Sequence, residues 1–346
     1  HLTILGLMIL ESNYKNIISF LIFFSFLISC DTEPKSYDLS GPTFGTYYKI
    51  KYYSNKKRVN LKQSELDSVF ENFNNSFSTY ISSSTISKIN SGQNIKLDNL
   101  FQDMFNKSKI LYDQTDGMFD PSIGLLLEYY GFGPDKKIIS KSNFNSIMQS
   151  VGYDKLDIVD NQLIKQNIYT KLDFNAIAKG YAVDIIAELL NNKSIDNYLI
   201  DIGGEIRLKG KNLQKNQFWT VAINNPNLNS QQQFYKLLQL EDKSIATSGN
   251  YRNFRIDSIT NKKYVHTLNP LNGKSEQTNI LSASVVANSC FEADAFATAL
   301  MAGNFDDAKK LIKKNNQIDV YLIYVNSINK VSDYYTDGFS KYFFKP

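Results

Sequence analysis

The chain has 346 residues, of which 42% are hydrophobic and 21% charged, so it can bury a core and is not a disordered polymer. Its net charge of +4 is too small a basic surplus for a dedicated nucleic-acid binder, so we expect no nucleic-acid partner. The two cysteines and two histidines exclude a four-cysteine zinc site, a three-histidine zinc site and a multi-bridge disulfide framework.

The N-terminal region carries an uncharged apolar run, Ile17–Ser29, directly after Lys15 and Asn16. The run is shorter than the about 20 residues of a membrane span and is typical of a signal peptide. It ends in Leu27–Cys30, which resembles a bacterial lipobox, where the cysteine is lipidated after cleavage. An uncleaved anchor helix is the alternative. We therefore expect a bacterial lipoprotein anchored through Cys30, at the inner membrane and facing the periplasm.

The N-terminal half of the remaining chain shows both strand and helix periodicity. Two of its boundaries carry a recognisable signal: Asn60 with Gln63 resembles a capping box, and Asp160-Asn161 is typical of a hairpin turn. In chain order we predict a strand at Thr46–Tyr53, a helix after Asn60 with Leu66, Val69, Phe70 and Phe73 on one face, a helix at Asp98–Asp113, a hairpin of Leu156–Ile158 and Leu163–Ile164, and a helix capped by Asp173 or Asn175 that ends near Leu190.

The C-terminal half is richer in predicted strands. In chain order it predicts strands at Tyr198–Ile202, Trp219–Ile223, Phe234–Leu240, Tyr264–Leu268 and Ile280–Ala287, helices at Phe291–Met301 and Phe305–Lys314, and a strand at Val320–Val325. Strands and helices mix without regular βαβ repetition, so we predict an α+β (mixed α/β) fold. The expected domains are a signal peptide over 1–29, a tether over 30–40 and one compact domain over 41–346.

Several glycine-rich motifs could bring the backbone close to a ligand. Gly41–Thr46 is either such a loop or an ordinary turn, and Gly117–Gly124 is either a helix cap with a loop or a pocket for a planar ligand. Asp173–Asp184 offers small residues and Lys179 at a helix start, where amides and the helix dipole favour a phosphate. An amphipathic helix explains this last pattern equally well.

Polar residues in the C-terminal half supply the other candidates. His266 is the only imidazole after the apolar run, and it is either a catalytic base or a structural histidine. Asp294 and Thr298 stand four residues apart and share one face of the predicted helix. A carboxylate and a hydroxyl are oxygen ligands that suit Mg²⁺, although an aspartate near a helix start is also favoured by the dipole alone.

Taken in order, these motifs resemble the ApbE family, the FAD:protein FMN transferases. The family patterns G-x-T-M-G-T, S-x-Y, G-x-F-D-P-(S/T)-x-G, D-x-x-x-I-A-K-G-Y-A-V-D and D-I-G-G-E have counterparts at Gly41–Thr46, Ser78–Tyr80, Gly117–Gly124, Asp173–Asp184 and Asp201–Glu205. The later patterns A-T-S-G-D-Y-R-N-F, H-x-x-(D/N)-P-x-x-G and A-D-A-x-A-T-A have counterparts at Ala246–Phe254, His266–Gly273 and Ala293–Ala299. Eight motifs in order make chance an implausible explanation.

The resemblance implies an enzyme that uses FAD and Mg²⁺, transfers FMN to a Thr or Ser hydroxyl of an acceptor flavoprotein, and releases AMP. It implies Mg²⁺ ligands at Asp294, Thr298 and the backbone carbonyl of Ala176. The residues expected to bind FAD are Phe44, Tyr80, Met118, Phe119, Asp120, Asp173, Lys179, His266 and Thr267. His266 is also the expected catalytic base, because it is the one imidazole available to activate a hydroxyl.

The sequence departs from the family patterns at two positions, and two other functions are compatible with it. Phe44 stands where methionine is usual, and Asn250 where aspartate is common. The alternative enzyme is an FAD pyrophosphatase that yields FMN and AMP, with water in place of the acceptor hydroxyl. The alternative outside enzymes is a flavin-binding lipoprotein without turnover.

Overall fold

An antiparallel sheet of eight strands, counted within the part of the chain that the computed structural model describes, forms the middle layer of the protein. The described residues are 34–55, 60–134, 144–227, 230–250, 254–256 and 261–345. The strands are β1 (Lys35–Thr43), β2 (Thr46–Ser54), β3 (Leu156–Val159), β4 (Gln162–Lys165), β5 (Asn197–Ile202), β6 (Glu205–Lys209), β7 (Lys211–Asn212), β8 (Gln217–Asn224), β9 (Phe234–Leu240), β10 (Ser244–Ser248), β11 (Phe254–Ile256), β12 (Lys263–Val265), β13 (Ile280–Ala287), β14 (Asp319–Val325) and β15 (Val331–Tyr335).

The order of strands in the large sheet is β1-β2-β5-β6-β10-β13-β14-β15. The remaining strands form small sheets: β7-β8-β9, the pair β11-β12 and the hairpin β3-β4. The helices are α1 (Gln63–Phe77), α2 (Thr85–Asn90), α3 (Asn99–Gln114), α4 (Gly124–Tyr129), α5 (Phe144–Gln149), α6 (Ala178–Asn192), α7 (Cys290–Ala302) and α8 (Phe305–Lys314), with 3₁₀ turns at Tyr153–Lys155 and Asp337–Tyr342.

Both faces of the large sheet are covered. Successive side chains of a strand point to opposite faces, and the strands carry apolar side chains on both. In β5, Ile200 and Ile202 point to the face that packs on the helices. Leu199 points to the opposite face, where Trp219 and Val221 of the small β7-β8-β9 sheet lie. The protein is therefore layered as helices, large sheet and small sheet, and the α+β prediction is confirmed.

Helices α6 and α7 lie against the large sheet and contact each other closely. A Cβ atom on Gly180 would lie 2.5 Å from the carbonyl oxygen of Cys290, so only glycine fits there. The carboxylate of Asp184 accepts hydrogen bonds from the N–H groups of Cys290 (3.0 Å) and Phe291 (2.9 Å), the first residues of α7. Arg207 of β6 pairs with the same carboxylate. The α6–α7 crossing is thus fixed by both packing and charge.

Most predicted elements are confirmed, but one strand is shorter than predicted and three other boundaries differ. β12 ends at Val265, so His266–Leu268 of the predicted strand Tyr264–Leu268 are not strand, because the chain there enters the loop that Asn269 closes. Lys35–Ser40, assigned to a tether, belongs to β1 and pairs with β2, because backbone pairing holds even a polar sequence in a sheet. The predicted capping box of Asn60 and Gln63 does not form at the start of α1, where the carboxylate of Glu65 accepts the N–H of Lys62 at 2.8 Å and no side chain caps the helix in return.

The third difference is at the start of α6. Neither Asp173 nor Asn175 caps this helix, which begins at Ala178 after Ile177. The carboxylate of Asp173 instead accepts the N–H of Asn175, so the polar signal belongs to a turn before the helix.

Cys30 and the apolar run before it lie outside the described residues, so the lipid anchor stays a prediction. Among the residues described, none of the helices has the length and apolar character that a membrane crossing requires.

Candidate functional site

A buried cluster of charges lies where α6 begins beside α7. The Lys179 ammonium is 3.5 Å from Oε1 of Glu205, the first residue of β6. Oδ2 of Asp294 accepts a hydrogen bond of 3.1 Å from the N–H of Gly180. Glu205 and Asp294 are only 5% and 2% exposed. Residues from three distant parts of the sequence therefore meet at one point.

The cluster is electrostatically unusual because two carboxylates share one lysine away from water. Burial raises the pKa of both Glu205 and Asp294 above their ordinary values, and Lys179 only partly offsets this. Burial lowers the pKa of Lys179, but the two carboxylates outweigh it and the net shift is upward. The lysine is therefore firmly protonated, and Oε2 of Glu205 is buried with no hydrogen-bond partner in the part of the chain that the structure describes.

The three ligands expected from the sequence, Asp294, Thr298 and the carbonyl of Ala176, all offer hard oxygen atoms. Thr298 lies one turn further along α7, half-buried, and Ala176 lies just before the start of α6. No group of three or more His, Cys, Asp or Glu side chains in the described part of the chain is arranged to hold a metal. A cation here would depend on one carboxylate, a hydroxyl and a carbonyl, which fits Mg²⁺ better than zinc.

The turn between β1 and β2 brings Phe44 against the middle of α1. Phe44 has a φ of +49°, and its half-buried ring packs edge-on against Phe70 at 5.5 Å and obliquely against Phe73 at 5.7 Å. The N–H of Gly203 donates to the carbonyl of Tyr47 at 3.1 Å. The Gly41–Thr46 and Asp201–Glu205 motifs therefore lie next to each other.

The loop after α3 carries Met118, Phe119 and Asp120. Phe119 is buried, and Met118 lies against Gly303 at the end of α7. Oδ1 of Asp120 accepts hydrogen bonds from the N–H and the hydroxyl of Ser122, at 2.7 and 2.6 Å. Burial raises the pKa of Asp120 to about 6. The carboxylate thus organises the loop from inside.

The segment before α6 is joined directly to this loop. The N–H of Asp173 donates to the carbonyl of Pro121 at 2.8 Å, and the N–H of Gly124 donates to the carbonyl of Lys171 at 3.0 Å. Burial raises the pKa of Asp173 to about 6, partly offset by hydrogen bonds from Asn175. Two of the motifs singled out from the sequence are thereby hydrogen-bonded into one unit.

His266 and Thr267 follow β12, at the start of a tight loop that packs on the same region. His266 is half-buried and Thr267 is 8% exposed. Asn269 closes the loop, because its side chain accepts the N–H groups of the two residues after Pro270 and its carbonyl accepts that of Gly273. Leu271 from this loop lies against Gly117.

Tyr80 is the predicted site residue that the structure ties least to the others. It is 68% exposed, in the turn between α1 and α2. Glu205 and Asp184 lie within the predicted motifs but were assigned no role. Glu205 is the buried partner of Lys179, and Asp184 holds the start of α7, the helix that carries Asp294. Asn250, which stands where aspartate is common in the family, is fully buried, and neither of its amide atoms has a hydrogen-bond partner among the described residues. In the sequence, Glu205 directly follows Gly-Gly and Asn250 directly follows Ser-Gly. A polar residue directly after such a glycine pair or Ser-Gly was the signal that could have marked both as site residues.

Comparison with known proteins first gives a class, that of flavin transferases. The solved structure titled flavin transferase ApbE from Vibrio cholerae superposes with a TM-score of 0.77 at 30% identity, covering 89% of this chain and 99% of that one. The apo form of the flavinyl transferase ApbE of Pseudomonas stutzeri gives 0.78 at 26% identity, covering 90% and 98%. The fold is therefore that of these transferases.

Sequence comparison then gives the family. The ApbE family matches residues 44–322. The FAD:protein FMN transferase of Vibrio cholerae serotype O1 is 32% identical, over 92% of this chain and 96% of that protein. That of Haemophilus influenzae is 30% identical, over 86% and 89%. The chain belongs to the ApbE family.

Asp120→Asn tests whether the buried carboxylate is a source of pH-dependent stability. Since burial raises the pKa of Asp120 to about 6 in the folded protein, the folded state holds this proton more tightly than the unfolded state, whose ordinary pKa is about 4. The contribution of the protonated Asp120 carboxyl to the free energy of unfolding is therefore full below about pH 4 and is lost as the pH rises through about 6.

We expect the wild type to lose up to about 3 kcal/mol of unfolding free energy relative to Asp120→Asn between about pH 4 and 7. Urea unfolding at several pH values measures this difference. The matched control is Asp306→Asn, an exposed carboxylate on α8. A constant difference between wild type and Asp120→Asn across this range contradicts the prediction.

Proposed function

We propose that the protein is a Mg²⁺-dependent FAD:protein FMN transferase. It moves the FMN part of FAD to a Thr or Ser hydroxyl of an acceptor protein through a phosphoester bond, and it releases AMP. The observation that carries the proposal is the buried Lys179–Glu205–Asp294 cluster at the start of α6, in a chain of the ApbE family. A lysine ammonium at the positive end of a helix dipole is suited to a diphosphate.

The bond changes of this reaction set what the residues must do. The acceptor oxygen attacks the phosphorus of the FMN part, the bond to the AMP oxygen breaks, and the hydroxyl proton leaves. His266 takes that proton, and Lys179 places a fixed positive charge beside the phosphate oxygens. Because Lys179 is held by Glu205, its charge needs little reorganisation during the reaction.

Asp294, Thr298 and the carbonyl of Ala176 would hold Mg²⁺. Their oxygen atoms fit this cation, and Asp294 has one carboxylate oxygen free of hydrogen bonds from the described residues. The ion would neutralise charge on the diphosphate and on the leaving AMP.

The flavin nucleotide is bound by the loops around this cluster. The proposed contacts are Phe44, Tyr80, Met118, Phe119, Asp120, Asp173, Lys179, His266 and Thr267. Supporting this set, Asp120 and Asp173 lie in loops that are hydrogen-bonded to each other, and the His266 loop packs against Gly117. The exposed Tyr80 is free to close on a bound ring.

We also propose that residues 1–29 are a signal peptide and that lipidated Cys30 anchors the enzyme to the inner membrane, facing the periplasm. The support is the apolar run that ends in Leu27–Cys30. Since β1 begins at Lys35, the tether between the lipid and the sheet would be only a few residues long.

The reaction is tested by incubating the protein with FAD, Mg²⁺ and a candidate acceptor domain and weighing the acceptor by mass spectrometry. The expected result is a mass increase of one FMN with release of AMP. Release of FMN and AMP without a mass increase on any acceptor tested would instead favour the pyrophosphatase. FAD that stays bound and intact would favour a flavin-binding protein without turnover.

Asp294→Ala should lower Mg²⁺-dependent turnover by about 100-fold or more, because the cation loses its only carboxylate ligand. The measurement is the rate of AMP release over a Mg²⁺ titration. Asp306→Ala, which removes an exposed carboxylate from α8, is the control and should match the wild type. Equal rates of Asp294→Ala and wild type at saturating Mg²⁺ would place the metal elsewhere.

His266→Ala should keep the affinity for FAD while FMN transfer falls by about 10²–10⁴-fold, the usual size of a general-base effect. The wild-type rate should rise with pH through the pKa of the imidazole and flatten above it, and the variant should lack this inflection. The FAD dissociation constant and the single-turnover rate are measured on the same variant. Weakened binding with a normal single-turnover rate rejects the base role and leaves a structural one.

Cys30→Ala should move the protein from the membrane to the soluble fraction without loss of FAD binding, because the proposed acyl chains are attached at this residue. Fractionation of cells, followed by a high-salt wash, measures the distribution. Cys290→Ala is the control, since that cysteine is buried in α7. A Cys30→Ala protein that stays entirely with the washed membrane would favour an uncleaved anchor helix.

A further inference from the structure

The side chain of Asn90, the last residue of α2, holds a backbone segment 82 residues away. Its Nδ2 donates to the carbonyl of Leu172 at 2.8 Å, and its Oδ1 accepts the N–H of Leu172 at 2.8 Å. The amide of Asn90 thus pairs with both the backbone N–H and the backbone carbonyl of Leu172, as a residue of a neighbouring β-strand would. Leu172, which is fully buried, is therefore fixed in position and in orientation.

The opposite edge of the same segment is held by the loop after α3. Lys171 accepts the N–H of Gly124, and Asp173 donates its N–H to Pro121. The segment 171–173 thus lies between Asn90 on one side and the 121–124 loop on the other. Since each of these bonds involves the backbone, they fix the path of the chain directly and do not depend on the side chains of the segment.

Lys165 at the end of β4 strengthens the link between α2 and this segment. Its ammonium donates to the carbonyl of Ile89 at 3.0 Å and to that of Thr170 at 2.7 Å. Burial lowers its pKa to about 8, with a smaller contribution from Lys171. The end of α2 is therefore linked to Leu172 directly and to Thr170 through Lys165.

We propose that Asn90 is a positioning residue for flavin-nucleotide binding, an inference that rests on the proposed function. It fixes Leu172 and so the neighbouring Asp173, and with it the turn that leads into α6 and Lys179. Without this contact the segment gains conformational freedom, and a ligand must spend binding free energy to order it. Asn90 itself is assigned no contact with the ligand.

The test compares Asn90→Ala with Asn326→Ala. Asn326 also bonds to backbone, since its Oδ1 accepts the N–H groups of Ile328 and Lys330, but it lies in the β14–β15 turn. We measure the FAD dissociation constant by calorimetric titration, the melting temperature, and the single-turnover rate at saturating FAD. For Asn90→Ala we expect FAD to bind about 10-fold more weakly, with a single-turnover rate within about threefold of wild type.

The control should lose thermal stability and keep its FAD affinity within about twofold, since its side chain bonds to Ile328, Lys330 and Ser332 at the β14–β15 turn and not to the segment. Asn90→Asp keeps the acceptor for the Leu172 N–H and loses the donor, so it should fall between wild type and Asn90→Ala. This second variant decides the matter if Asn90→Ala does not fold.

Two results overturn the inference, and they are distinguishable. If the wild type binds FAD and both Asn90 variants bind it equally well, the positioning role alone is rejected. If the wild type does not bind FAD, the proposed function fails and the inference falls with it.

Discussion

The reciprocal contact between α6 and α7 is the constraint on which the rest of the site depends. Asp184 of α6 accepts the first N–H groups of α7, and Asp294 of α7 accepts the N–H of Gly180 in the first turn of α6. Each helix therefore supplies the carboxylate that satisfies the start, or the first turn, of the other. Because the close approach at Gly180 admits no side chain, the two helices have little room to slide.

Because the two helices are held in place, the charged side chains between them and the sheet are also held together, and their charges do not balance. Lys179 and Arg207 face three carboxylates, those of Asp184, Glu205 and Asp294. If all five groups are ionised, one negative charge is left in a region from which water is largely excluded. The raised pKa values of Glu205 and Asp294 express this cost. A divalent cation would outweigh this single negative charge, and the arrangement that holds the helices therefore supports the proposed Mg²⁺ site.

The parts of the structure that the sequence predicts are those whose signals are local. Phe305–Lys314 has its own cap at Asn304, and Asp160-Asn161 supplies the left-handed residues that its hairpin turn requires. The start of α6 was mispredicted because the bond from Asn175 to Asp173 belongs to a turn.

The pairings that define the site are not local and had no such signal. Glu205 meets Lys179 only after β5 has crossed the sheet, and Asn90 meets Leu172 across three helices and a hairpin. Periodicity carries no information about such contacts. The order of the family motifs along the chain identified the candidate site residues. Which of these residues contact each other is determined only by the fold.

The turn at Phe44 shows how the scaffold can prepare a pocket where the family pattern is altered. A non-glycine residue with positive φ costs about 1 kcal/mol or more, and a bulky one is the less favourable case. Aromatic contacts such as those with Phe70 and Phe73 contribute about 0.5–1.5 kcal/mol each, which is enough to offset that cost. The ring is thus held against α1 by its own packing, before any flavin is bound. A methionine at this position would lack these ring contacts, so phenylalanine here exchanges an adaptable apolar side chain for a rigid one.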